Sequence, residues 1–207
     1  VKTITVEQTK NGMKIYNNPV GVLTNNPPFD MQMVNLSNYM YISSGKPENK
    51  LSDKIELLQY SRGMGSIGLP RDLSSMSRFV RACFVKLNSV WGETETEKVN
   101  QFFHILNSVY QPKGCVREEN SYEITNYSSC CNTDKGIYYY TSYNNSSING
   151  VDMNKENLDS ENLVVYNLLE NESINIQNCS VKADAFPDII KKHKFSTNVL
   201  KNKPFML

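Results

Sequence analysis

Polar and apolar residues alternate at the start of the chain (Lys2, Thr3, Ile4, Thr5, Val6). A period of two is that of a strand with one covered face. Lys10-Asn11-Gly12 supplies a turn and Met13–Tyr16 resumes the strand pattern, so a hairpin is predicted. Asn-Gly suits that turn because both residues tolerate positive φ. Gly21–Leu23 reads as a third short strand, ended by Thr24-Asn25-Asn26-Pro27-Pro28. The double proline stops a ladder and can open a helix. Phe29–Tyr39 then carries Phe29, Met33 and Leu36 near helical spacing, and residues 43–69, with Gly, Pro and Ser throughout, read as loop.

Leu73, Met76, Val80, Cys83, Leu87 and Val90 recur at steps of three and four, the stripe of an amphipathic helix. A second helix is predicted from Thr94-x-x-Glu97, a capping-box pattern, with Val99, Phe102, Phe103, Leu106, Val109 and Tyr110 as its stripe. After Pro112 the pattern returns to strands. Tyr122–Ser128 and Ile137–Tyr143 flank the turn Thr133-Asp134-Lys135-Gly136, and Leu163–Leu169 reads as another strand. Two helices between groups of strands predict a layered α+β fold.

The chain's 207 residues and 39% hydrophobic content suit one ordinary core. The 22 basic residues nearly balance the 21 acidic ones, which argues against nucleic acid as a partner. No apolar run approaches the roughly 18 residues that a membrane span needs, so no membrane partner is expected. The segment VKTITVEQTK has no apolar region of signal-peptide type, and Val1 in place of Met hints that the natural chain begins elsewhere. Five scattered cysteines form no disulfide framework, and with two distant histidines they give no zinc spacing, so no metal is expected and a reducing cytoplasm is. From Cys179 onward six lysines face two aspartates, without sustained periodicity. Residues 179–207 therefore read as a basic, disordered tail apart from a domain spanning 1–178.

Few residues offer chemistry by spacing alone. Cys130-Cys131 with His104 could form a nucleophile pair, but His104 lies about 160° from its helix's apolar centre and should face outward. The acidic residues cluster in a solvated helix start (Glu93, Glu95, Glu97), and Arg62–Gly68 lacks the lysine and preceding strand of a phosphate loop. Tyr138-Tyr139-Tyr140 reads as a half-buried strand. Thr24-Asn25-Asn26-Pro27 places amides just before a helix, where donors can project into a cleft. Arg78 lies about 170° from its helix's apolar centre, which assigns it to solvent.

The motifs say more. Asn18-Pro-Val-Gly-Val-Leu-Thr-Asn-Asn-Pro27 with Phe29-Asp30 and Gln32, and Gly68-Leu-Pro-Arg-Asp-Leu-Ser-Ser-Met-Ser-Arg-Phe-Val-Arg81, form an ordered set. Gln101-Phe-Phe-His-Ile-Leu106 and Ser128-Ser-Cys-Cys-Asn-Thr-Asp-Lys-Gly-Ile-Tyr-Tyr-Tyr140 extend it. Together they resemble the conjugated bile salt hydrolases of the choloylglycine hydrolase family, which also contains penicillin V acylases. The resemblance runs from Val1 to about Asn178.

It implies an αββα sandwich of the N-terminal-nucleophile type, incomplete because the family's N-terminal part has no match here. It implies hydrolysis of the amide of glycine- or taurine-conjugated bile salts, with penicillin V acylase chemistry as the alternative. No cofactor is implied, and the full-length family protein is a homo-oligomer, a tetramer. The family's nucleophile is an N-terminal cysteine whose own α-amino group is the base, reasonable for an amine titrating near 7.7–8.0. None of the five cysteines here is N-terminal, so the chain alone is expected to be inactive, or to be a half that assembles with a separate N-terminal half. By resemblance Asn25 is an oxyanion-hole amide and Arg78 sets the electrostatics around the catalytic cysteine. Position 71 is Arg where the family usually has Gly, and a positive φ there would strain the helix bearing Arg78.

Overall fold

The computed structural model describes residues 2–176. The chain divides into two units, Val1–Glu172 and Ser173–Leu207, and all helices and strands among the described residues lie in the first. The expected tail at 179–207 lies outside the described residues.

The chain opens with an antiparallel hairpin, β1 (Ile4–Thr9) and β2 (Gly12–Asn17), in register Val6 to Ile15 and Thr9 to Gly12. Gly12 takes φ 97°, a conformation that glycine adopts without steric cost, whereas Asn11 does not have a positive φ. The hairpin's alternation points the opposite way from a simple core. Thr5 is buried, while Ile4, Val6, Met13 and Ile15 are each more than half exposed on the other face.

Three helices follow. α1 (Phe29–Leu36) begins after Pro27-Pro28, and the Glu7 carboxylate reaches across from β1 to accept the Phe29 N–H at 3.1 Å. That carboxylate satisfies an orphan donor and meets the positive end of the helix. α2 (Ser75–Asn88) is capped by Ser74, whose hydroxyl accepts from Ser77 N. α3 (Glu95–Asn107) starts with the predicted capping box, the Thr94 hydroxyl and Glu97 carboxylate each bonding the other's backbone N–H. A three-stranded antiparallel sheet completes the unit, β3 (Tyr127–Asn132), β4 (Ile137–Ser142) and β5 (Asn149–Asp152), in the order β3-β4-β5. Glu95 of α3 accepts from Asn132, Lys135 and Tyr139, which ties the helix start to that sheet. Among the described residues no helix is long and apolar enough to cross a membrane.

Several elements depart from expectation. Gly21–Leu23 is not a strand, because Gly21 sits at φ 58° and the Asn18 side chain folds the segment into a loop. β3 begins at Tyr127 rather than Tyr122, since Thr125 pairs with Gln111 through both its backbone and its hydroxyl. Leu163–Leu169 is irregular. The edge of β4 is taken by the polar segment Asn149–Asp152, which showed no apolar alternation to betray it.

Helix α2 is the centre of the packing. Val20, Phe29, Phe79 and Cys83 form the buried cluster, with Tyr16, Val22, Met33 and Leu36 against it. Phe79 and Phe29 meet edge to face at 6.2 Å. The expected stripe held only in part: Val80 and Cys83 are buried, but Leu87 and Val90 are 60% and 86% exposed. Covered on one side by α1 and on the other by residues 70–72 and the end of α3, the helix buries Ser77, Phe79, Val80, Arg81, Ala82 and Cys83 together. A single-face wheel does not describe such a helix.

Arg81 holds the second side. Its guanidinium donates to the carbonyls of Ser108 (2.6 Å), Pro70 (2.9 Å) and Asp72 (3.1 Å), and burial lowers its proton affinity. Replacing Arg81 with Met keeps bulk but strands three carbonyls, which should cost about 2–4 kcal/mol. Thr94→Ala, losing a surface cap, should cost only about 1 kcal/mol. Denaturant titration of both variants checks this ranking; equal losses would mean that Arg81 does not tie these segments together.

Candidate functional site

The segment from Asn18 to Pro28 is irregular, yet it is bonded along its whole length. Buried Asn18 donates from Nδ2 to the Val22 carbonyl (2.9 Å) and the Thr5 hydroxyl (3.0 Å), while its Oδ1 accepts from Gly21 N (2.7 Å). Lys86, near the end of α2, donates to the carbonyls of Val20 and Gly21 at 2.9 and 2.7 Å. Farther along, the Thr24 hydroxyl lies 2.9 Å from Gln32 Oε1 and 3.0 Å from the Ser75 carbonyl. The N–H of Asn26 donates to Ser75 Oγ at 3.0 Å. The loop therefore moves with α1 and α2.

Asn25 is exposed on this loop, beside an open groove of about 820 Å³ that runs between it and the hairpin turn. Arg78 reaches it from α2, donating from Nη2 to Asn25 Oδ1 at 2.8 Å. The guanidinium is itself steadied by a bond from Nε to the Leu73 carbonyl at 3.1 Å. A guanidinium only donates, so the amide must turn its oxygen to Arg78 and present Nδ2 on its other side. Among the described residues nothing accepts from that nitrogen. The pair thus offers an outward N–H donor backed by a positive charge, which is suited to an oxygen that becomes negative during a reaction.

The start of α2 fixes where Arg78 stands. Asp72 Oδ1 accepts from Ser74 N at 3.0 Å and Oδ2 accepts from the Ser77 hydroxyl. Its bonds with Ser74 and Ser77 lower its pKa from 3.8 to about 2. Helical periodicity had assigned Arg78 to solvent. It is half-buried, because the Asn25 loop lies over that side of the helix. Arg71 is exposed and, like every other described non-glycine residue, has no positive φ. The strain anticipated at position 71 is therefore absent.

The other candidates are not brought together. His104 is exposed and borders a cleft with Asn107 and Tyr143, whereas Cys130 and Cys131 line a different cleft with Trp91 and Phe102. Burial raises the Cys130 thiol and pushes Cys83 up to about 12, so both stay protonated and poorly nucleophilic. The supports that spacing did not reveal are Gln32, Ser75 and Lys86. Gln32 stood in a quoted motif, but only its burial and bonding give it a role.

The choloylglycine hydrolase family of linear amide C–N hydrolases matches residues 1–166. A bile salt hydrolase/transferase of Lactiplantibacillus plantarum is 59% identical over 153 residues, 73% of this chain and 47% of the relative. One from Clostridium perfringens is 41% identical over 180 residues, 86% of this chain and 54% of the relative. A crystal structure of a mutant conjugated bile acid hydrolase from Clostridium perfringens superposes with TM-score 0.75 at 40% identity, covering 86% of this chain and 54% of that one. Penicillin V acylase from Agrobacterium tumefaciens gives 0.57 at 20% identity over 74% and 43%, a likeness of fold. The fold is thus α+β of the N-terminal-nucleophile hydrolase type, and the chain spans about half the length of the curated relatives it matches.

Asp72 makes the site's framework sensitive to acid. A carboxylate with a depressed pKa stabilises the fold fully above its unfolded value, near 3.8, and less as pH falls towards 2. Asp72→Asn should therefore melt below the parent at pH 5–7, by a modest margin because the side chain is exposed. The two should converge as pH drops from about 4 to about 2. A difference that stays constant across that range would remove the charge from the explanation.

Proposed function

Because the chain belongs to the choloylglycine hydrolase family of linear amide C–N hydrolases, we propose that it supplies the oxyanion-binding half of a bile salt hydrolase. The substrate is a bile salt conjugated to glycine or taurine, and the reaction is hydrolysis of the linking amide. What carries the reading is the Arg78–Asn25 bond, which turns an amide N–H outward beside an open groove. The names of relatives at 59% and 41% identity favour a bile salt over penicillin V, whose acylase is similar here only in fold.

The thiol belongs to the family's N-terminal cysteine, on the portion of the relatives that this sequence does not cover. Its sulfur attacks the amide carbonyl carbon while the thiol proton passes to the cysteine's α-amino group. The carbonyl oxygen takes the negative charge and accepts from Asn25 Nδ2. Collapse breaks the C–N bond, the amine leaves with the proton, and water then hydrolyses the thioester to release the bile acid. Arg78 holds the Asn25 amide in its donating orientation and adds positive charge close to the developing anion.

Residues 1–178 form the family portion in this reading and 179–207 a separate basic tail. The full-length protein is a homo-oligomer. Cys83, Cys115, Cys130 and Cys131 are free thiols, which supports a cytoplasmic setting. A half that joins a separately made N-terminal half is the second reading, favoured by the open apolar hairpin face of Ile4, Val6, Met13 and Ile15.

The test is amino-acid release from glycocholate and taurocholate. The chain is assayed alone and joined to the first half of the Lactiplantibacillus plantarum relative, beginning in cysteine. Turnover is expected in the joined protein and not in the chain alone; none in either contradicts the proposal. Asn25→Ala in the joined protein should lower kcat about a hundredfold with the fold intact, and unchanged kcat would dismiss its oxyanion role.

A further inference from the structure

Gln32 of α1 is fully buried, at 0% exposure, although glutamine is ordinarily a surface residue. Its Nε2 donates to the Pro27 carbonyl at 2.6 Å and lies 3.4 Å from the Thr24 carbonyl, while its Oε1 faces the Thr24 hydroxyl. Those two carbonyls stand on either side of Asn25-Asn26, so one buried amide clamps both ends of the segment that displays Asn25. Ser75, the first residue of α2, holds the middle by accepting the Asn26 N–H at its hydroxyl, while its backbone carbonyl shares the single Thr24 hydroxyl hydrogen with Gln32 Oε1. Neither Gln32 nor Ser75 lines the groove beside Asn25.

We infer that Gln32 and Ser75 are positioning residues for the amide hydrolysis, fixing the direction in which Asn25 presents its N–H. This rests on the oxyanion role proposed for Asn25. An oxyanion donor works only when it is pre-aimed, and a misplacement of about 1 Å can cost about a hundredfold in rate. The loop has no regular backbone ladder to supply that rigidity; three side-chain groups, from Thr24, Gln32 and Ser75, supply it instead. The consequence is an effect on rate, exerted through Asn25, rather than on substrate affinity.

Double-mutant cycles in the joined protein test this. Gln32→Met keeps the volume and removes the amide, and Ser75→Ala removes one hydroxyl from a half-exposed helix start. Gln32→Met should lower kcat about tenfold or more, with KM changed less than about twofold. In an Asn25→Ala background either substitution should lower kcat by less than about twofold, because the donor it aims is already gone. Losses that persist undiminished beside Asn25→Ala, losses confined to KM, or unchanged kcat in both single variants would overturn the inference. Should Gln32→Met fail to fold, the Ser75→Ala cycle decides by itself. Full activity of Asn25→Ala would instead overturn the oxyanion reading, and this inference with it.

Discussion

A guanidinium has hydrogens to give and no lone pair to offer, and the candidate site is organised around that asymmetry. When Arg78 meets the Asn25 amide at 2.8 Å, the side chain loses its freedom to flip between oxygen and nitrogen. An exposed asparagine on an irregular loop would otherwise sample both orientations, only one of which can stabilise an anion. The interaction works because Arg78 is half-buried and bonded to the Leu73 carbonyl, so less side-chain entropy remains to be lost on meeting Asn25.

The rest of the unit reads as the means of keeping those two side chains in register. α2 carries Arg78 and is gripped from both sides, by the aromatic cluster of Phe29 and Phe79 and by Arg81 with its three carbonyls. The same helix holds the Asn18–Pro28 loop at both ends, through Ser75 at its start and Lys86 near its finish. The hairpin contributes Glu7 to the start of α1 and Thr5 to Asn18, which is why its polar face is the covered one. A loop without a regular backbone ladder thereby inherits the rigidity of three regular elements.

Much of this was legible beforehand, and the failures share a cause. The hairpin, helices α2 and α3, the helical spacing of Phe29, Met33 and Leu36 and the Thr94–Glu97 capping box followed from local patterns, because each depends on residues a few positions apart. Asn25 and Arg78 were named by resemblance to a family motif, whereas helical periodicity placed Arg78 in solvent. Periodicity registers apolar burial, and the contact that covers Arg78 is polar and comes from 53 residues away. The missing strand at Gly21–Leu23 and the unforeseen one at Asn149–Asp152 fail likewise. The Asn18 side chain and Lys86, 65 residues from Gly21, decide the first and backbone pairing to β4 decides the second, and apolar periodicity registers none of these polar contacts. Gln32 carries the same lesson, since its partners Pro27 and Thr24 are near in sequence but the contacts that bury it are polar and leave no apolar period.

The orientation of one amide is the central claim, and a crystal structure of the joined protein trapped with a bile-acid thioester or bound product tests it most directly. Asn25 Nδ2 is expected about 2.7–3.1 Å from the oxygen of the former amide carbonyl, with Arg78 still donating to Oδ1. A structure in which Arg78 has left Asn25, or in which the amide turns away and another group meets that oxygen, would contradict the account.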